Sequence, residues 1–477
     1  MGAGISNWVL ARSVAQAGQL GVVSGTALDL ILARRLQCGD EGGHMRRALA
    51  HFPVPELAQR IEDKYFIEGG KAADQPFKGK SMVGHNRSQE LDELLVVSAF
   101  VEVYLAKEGH DGLVGINVLE KIQAPNLPTI YGAMLAHVDV VTMGAGVPTA
   151  TPGIISDYIT GKPTSVDLHF PLEEGAAKPK LTFDPACIFG ENPPTLPRPL
   201  FIPIIAAATL AVMMMKKCGD GIDGFVIETP TAGGHNAPPR GRTKIDEKGE
   251  PIYGKRDLVD YEAIQSHGIP FWIGGSYGSP DRLLDAQEVG AVGIQVGTLF
   301  AFSDESGLEK TLKQDTRAMS LAGTAGVFTD PVASPTGFPF KVLQMEGTNS
   351  DQQQYEDRKR VCDLGYLRHA YRRPDGALGW RCASEPLQAW AKKGGDEEAT
   401  QGRKCLCNGL MANIGMPQYR SDGTTERPLI TAGDEVKKIH ILLTKERPYY
   451  SATDVLDYLL SADQEVPHSK STLTAEN

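Results

Sequence analysis

Between Leu20 and Phe300 one unit keeps returning: a short unbroken apolar run, a loop marked by Gly or Pro, and an amphipathic stretch. The runs are Leu20–Ser24, Val114–Val118, Val138–Met143, Phe201–Ile205, Phe225–Glu228, Phe271–Gly275 and Val292–Val296. Apolar residues that do not alternate are what a strand covered on both faces requires. Strands alternating with helices in this way predict a parallel sheet, either doubly wound or closed as a (β/α)8 TIM barrel. Helices are predicted over Asn126–His137, Pro152–Thr160, Ala208–Lys217, Asp257–His267 and Pro280–Val289. Ser279-Pro280-Asp281 opens the last with an N-cap, a proline suited to N1 and a first-turn acid.

Seven runs leave a closed barrel one strand short. The reading is therefore an α/β barrel lacking most of its first strand, with that strand expected before Met1. The barrel is assigned to residues 1–345. A helical insertion at about 27–111 includes Gln89–Glu108, and a Pro- and Lys-rich one lies at 171–199. Ser165–Phe170 alternates and reads as part of an inserted hairpin. Residues 346–460 form an irregular C-terminal extension, and 461–477 a polar tail expected to be disordered.

Lys plus Arg number 48 against 59 Asp plus Glu, a net charge of −11. That balance, without basic patterning, argues against nucleic acid or an anionic membrane as partner. The longest apolar stretch, Leu200 to Met215, is broken by Pro203 and is short for a membrane span. Seven Cys is a low, odd count, and the start carries no signal-peptide pattern, so a reducing, cytoplasmic location is expected. Cys362, Cys382, Cys405 and Cys407 lie close in sequence but supply one C-x-C and no C-x2-C pair. They read as reduced structural thiols, with no metal site expected.

Two signals carry chemistry. After the run Phe225–Glu228, a Gly233-Gly234 turn delivers His235 to what would be the C-terminal mouth of a barrel, where such enzymes place catalytic residues. Glycines let backbone approach a flat ligand, and histidine titrates near neutrality as a general base should. A turn histidine capping a helix fits the same spacing. The second signal is Gly274-Gly275 followed by Gln295-Val296-Gly297-Thr298, at the ends of consecutive strands. Such loops bind phosphate through backbone N–H groups, and a flavin mononucleotide (FMN) phosphate would suit them. Two ordinary Gly-terminated strands would look alike. Gly2-Ala3-Gly4 and Gly144-Ala145-Gly146 lack the third glycine of a dinucleotide fingerprint, and there is no P-loop or HExxH.

Taken together, Met1–Ser6, Gly115–Val118, Gly144–Pro148, Ala232–His235, Gly274-Gly275 and Gly297–Phe300 resemble the nitronate monooxygenase family, formerly 2-nitropropane dioxygenases. The same FMN barrel underlies FMN-dependent enoyl-ACP reductases. The resemblance implies FMN held at Gly2, Ala3, Asn117, Gly144, Gly146, Gly233, Gly234, Gly274, Gly275, Gln295, Gly297 and Thr298, with His235 as general base. It implies a flavoprotein oxidoreductase, a monooxygenase turning alkyl nitronates or nitroalkanes with O2 into a carbonyl compound and nitrite. The alternatives are an NAD(P)H-dependent enoyl-ACP or quinone reductase, with the 27–111 insertion walling an acyl groove, and an inactive barrel serving as an assembly module. Where the family carries an acid-rich turn before Gly-Gly-His, this chain has Thr229-Pro230-Thr231-Ala232.

Overall fold

All seven apolar runs are strands of one parallel sheet, and they pair in chain order. They are β1 (Gly21–Ser24), β2 (Val114–Leu119), β3 (Val140–Gly144), β4 (Leu200–Ile205), β5 (Phe225–Glu228), β6 (Phe271–Gly274) and β7 (Gly293–Gln295). Sequential order is the topology of a barrel wall, whereas a doubly wound sheet reverses order at a switch point. The structure, a computed structural model, describes residues 2–170 and 178–461. The tail expectation therefore lies, apart from Ser461, outside the described residues, as do the first seven positions of the 171–199 insertion.

Burial explains the unbroken apolar runs. Val141, Phe201, Ile227, Phe271 and Ile273 enter the core under the helices. Their neighbours Val140, Ile202 and Val226 cluster on the opposite face with Trp272 packed against them. The sheet also curls. Val22 on β1 and Ile294 on β7 line the same cavity. Six spacings of about 4.8 Å would hold those edges about 29 Å apart in a flat sheet. Among the described residues no strand bridges β7 to β1, which leaves the expected one-strand gap at that seam.

The predicted helices follow their strands at Gln123–Leu135, Thr151–Ile159, Ala208–Cys218 and Pro280–Glu288. Ser279 caps the last through its hydroxyl, as its position implies. The expectation over Asp257–His267 shrinks to Tyr261–Gln265, started by the Asp260 side chain. The 27–111 insertion is helical, and its longest helix, Gln89–Lys107, packs against Gln123–Leu135. Gly132 sets that approach: a Cβ there would lie 2.8 Å from the Val96 carbonyl carbon. The expected hairpin pairs Thr164–Asp167 with Lys180–Phe183.

The C-terminal extension is woven into the barrel. Leu364, Tyr366, Leu406 and Met411 share the main core with barrel side chains. Ile430, Val436 and Ile439 build a second core with Leu299 and Phe302 from the segment after β7. A small antiparallel sheet joins Val327–Asp330, Phe340–Leu343 and Gly234–His235, so the histidine expected in a turn sits on a short strand.

Candidate functional site

A cavity of about 570 Å³ opens at the C-terminal ends of the strands. That volume lies within the range of small-molecule and cofactor sites. Gly2 and Ala3 reach it because the adjoining Ser6 is tied to β1: its hydroxyl donates to the Val22 carbonyl (2.6 Å) and its carbonyl accepts from Ser24 N–H (2.8 Å). Asn117 and Gly144 reach it from β2 and β3. Asn117 is fixed there by donating to Thr142 Oγ1 at 2.9 Å. Gly233, Gly234 and His235 line it after β5, Gly274 and Gly275 after β6, and Gln295, Gly297 and Thr298 after β7. Gly146 does not line it; a Cβ there would overlap the Glu120 carboxylate.

The glycines serve different ends. Gly297 has open space where its Cβ would be, so that position faces the cavity without protein behind it. Gly275 is required by the protein itself, since its φ is +96° and a Cβ would strike Thr229 Oγ1. Gly233 was expected to admit a flat ligand. Instead it admits the C-terminal extension: a Cβ there would stand 2.7 Å from the Ala432 carbonyl carbon and the Gly433 nitrogen. The Thr298 hydroxyl accepts from Gly433 N–H at 2.9 Å, which ties the same segment to the end of β7.

Among the described residues the N–H groups of Gly275, Ser276 and Gly297 donate to no protein acceptor, although all three residues line the cavity. Unsatisfied donors on a concave surface suit an anion such as a phosphate. One carboxylate opposes that use. Glu435, buried on the extension, accepts from Gly278 N–H at the cavity wall, and burial raises its pKa.

His235 and Glu228 line the cavity, and Lys121, buried behind them, lies within electrostatic reach of both. His235 Nε2 lies 2.7 Å from Ser334 Oγ, and the ring packs edge-on against Phe340, with centroids 4.8 Å apart. Burial, aided by the Lys121 charge, holds the imidazole well below its ordinary pKa. Burial thus favours the neutral ring over the charged one. Burial also raises the Glu228 carboxyl, with Lys121 pulling the other way. Lys121 follows β2, and burial lowers its pKa to about 7 against the opposing charges of Glu228 and Glu120. Its ammonium has no hydrogen-bond partner among the described residues and sits 3.8 Å from the centroid of the Phe338 ring. Glu120 is raised to about 7 by burial and pairs with His169 at 3.2 Å.

Lys121, Glu228 and the lining residues of the extension, among them Leu367, Thr431 and Glu435, escape a reading of the sequence. A charged pair at a strand's C-terminal end, Glu120-Lys121, was the available signal for the first. Nothing local marks the extension, because its place at the mouth is set by long-range packing.

No protein-family model and no curated protein sequence matches the chain. Solved structures with similar coordinates include FabK from Thermotoga maritima, with a TM-score of 0.49 and 16% identity over 97% of this chain and 90% of that one. A nitroalkane oxidase from Streptomyces ansochromogenes gives 0.47 and 12% identity over 98% and 94%. The enoyl reductase domain of MlnA from Bacillus amyloliquefaciens gives 0.46 and 11% over 97% and 92%.

Proposed function

We propose that the chain is an FMN-dependent oxidoreductase of the nitronate monooxygenase type, acting on alkyl nitronates already in their anionic form. The cavity volume, the free N–H groups of Gly275, Ser276 and Gly297, and the open face of Gly297 fit a flavin phosphate and ring. A bound flavin supplies the electron acceptor that these side chains lack.

The observation that carries the substrate class is the buried trio of Lys121, Glu228 and His235. Below about pH 7 Lys121 is a cation, while burial keeps Glu228 largely protonated, so the charge behind this wall of the cavity is positive. A cation 6–8 Å from an anion is worth about 2–3 kcal/mol at an effective dielectric of 20. A neutral hydrogen bond from His235 adds about 0.5–1.5 kcal/mol. Charge therefore dominates, and it favours an anion. His235, held neutral, is a weak base for taking a proton from a neutral nitroalkane, whereas a nitronate has none to give up. Its part is to hold the nitronate oxygens through the ring nitrogen that Ser334 leaves free.

The test compares both forms of one substrate. Preformed propyl nitronate should be oxidised at least about 100-fold faster than neutral nitropropane, the lower end of what general-base catalysis contributes. Equal rates would show that a base at the site removes the proton. The enoyl-ACP reductase reading draws on one feature, an apolar arm of the cavity lined by Leu10, Val14, Leu20, Val292 and Leu459 near the open seam. An acyl chain would suit it. Of the 27–111 insertion expected to build such a groove, only Ala27 lines the cavity.

A further inference from the structure

Four of the seven cysteines converge in the extension. Cys362 follows the helix Gln352–Asp357, Cys382 ends the hairpin strand Leu378–Arg381, and Cys405 and Cys407 open the helix Leu406–Ala412. All four line one small void of about 10 Å³. That is room for about one water-sized body. Each of the four thiols lies within electrostatic reach of the other three. The backbone N–H groups of Ser384, Asn408 and Leu367 point at the sulfurs of Cys382, Cys405 and Cys407. Arg368 and Arg358 place positive charge near Cys362 and Cys405. Amide donors and cations around sulfur stabilise the thiolate, the form that binds metal.

We propose that Cys362, Cys382, Cys405 and Cys407 together bind a thiolate-ligated metal centre, zinc or an iron–sulfur cluster, that anchors the extension over the barrel mouth. Four sulfurs with no oxygen or nitrogen donor select these soft, tetrahedral centres over calcium or magnesium. On ligation each thiol loses its proton to solvent and gains a metal–sulfur bond. A single zinc ion with bonds of 2.3 Å would need the sulfurs about 3.8 Å apart. Among the described residues no three Cys, His, Asp or Glu side chains are spaced to hold one ion. Binding a single zinc would therefore draw the thiols inward, whereas a cluster would take them at wider spacing.

The sequence spacing gave no signal of such a centre, because the ligands come from three segments brought together by the hairpin. Cys407, Leu364 and Leu367 line both this void and the main cavity, so the centre would sit against the functional site. The assignment does not depend on what the main cavity holds.

The test starts with the full chain purified anaerobically without chelator, with zinc, iron and acid-labile sulfide measured per chain. About one zinc without sulfide, or iron with matching sulfide, is expected; the first result identifies a single ion and the second a cluster. Cys362→Ser/Cys382→Ser should lose the metal, while Cys38→Ser/Cys218→Ser should keep it. If the first variant fails to fold, chelation of the wild type serves instead, and four additional thiols should then react with a thiol reagent. Wild-type protein without stoichiometric metal, a disulfide among the four, or metal retained after Cys362→Ser/Cys382→Ser would overturn the proposal. Flavin content measured on the same samples separates this result from the reading of the main cavity.

Discussion

Lys121, buried behind Glu228 and His235, and Glu435, which lines the cavity, carry opposite charges, and each makes a prediction. Raising pH through about 7 discharges Lys121 and ionises Glu120, with Glu228 moving in the same direction. Both changes make the mouth more negative, so KM for a nitronate should rise with pH across that range. Lys121→Met should raise KM about tenfold or more at pH 6.5, equivalent to about 1.4 kcal/mol, and flatten the profile. A KM that is unchanged by both pH and the substitution would remove Lys121 from substrate binding. Glu435 opposes a phosphate. Glu435→Gln should therefore tighten FMN binding at pH 8, measured by fluorescence titration, and wild-type affinity should improve as the carboxyl protonates on acidification. Weaker binding by the variant would mean that Glu435 positions the cofactor.

At the level of elements, the loop after β6 and the loop after β7 differ in what their glycines do. Gly297→Val adds a side chain where there is only cavity, so the protein should stay folded and lose flavin. Gly275→Val forces a β-branched residue to φ +96° against Thr229, so it should lose stability whether or not a ligand binds there. Circular dichroism with flavin content separates the two, and a Gly297→Val variant with full flavin would move the phosphate elsewhere. Helix packing supplies a control. Gly132→Leu should cost about 1–3 kcal/mol or more by driving the helix Gln123–Leu135 off Val96, read from the denaturation midpoint. The strands were legible because double-sided burial leaves an unbroken apolar run, as at Val140–Met143 and Phe225–Ile227. The helix starts were legible where a capping residue acts locally, as at Ser279. The place of His235 on the cavity wall was legible, but its pairing with Phe340 on a short antiparallel strand was not. That pairing depends on a partner more than a hundred residues away.

Over the whole molecule, the extension and the barrel form one functional body. The mouth is walled by Thr431, Gly433 and Glu435 as much as by the barrel loops. Removing residues 346–461 should therefore expose the shared core and abolish flavin binding; a soluble, flavin-binding 1–345 fragment would show the barrel to be self-sufficient. Part of the cavity's glycine lining could be read from the sequence because Gly144 and Gly274 close strands and Gly297 follows one. The charge pattern could not, because Lys121, Glu228 and Glu435 become a set only when the sheet curls and the extension folds over it. The central claim, flavin chemistry on a preformed anion, meets its most direct test in one anaerobic absorbance experiment. Flavin-loaded protein is mixed with propyl nitronate in one cell and with NADPH in another. Bleaching of the flavin by the nitronate, with none by NADPH, is the result expected. Bleaching by NADPH with none by the nitronate would contradict the account and make the chain a reductase.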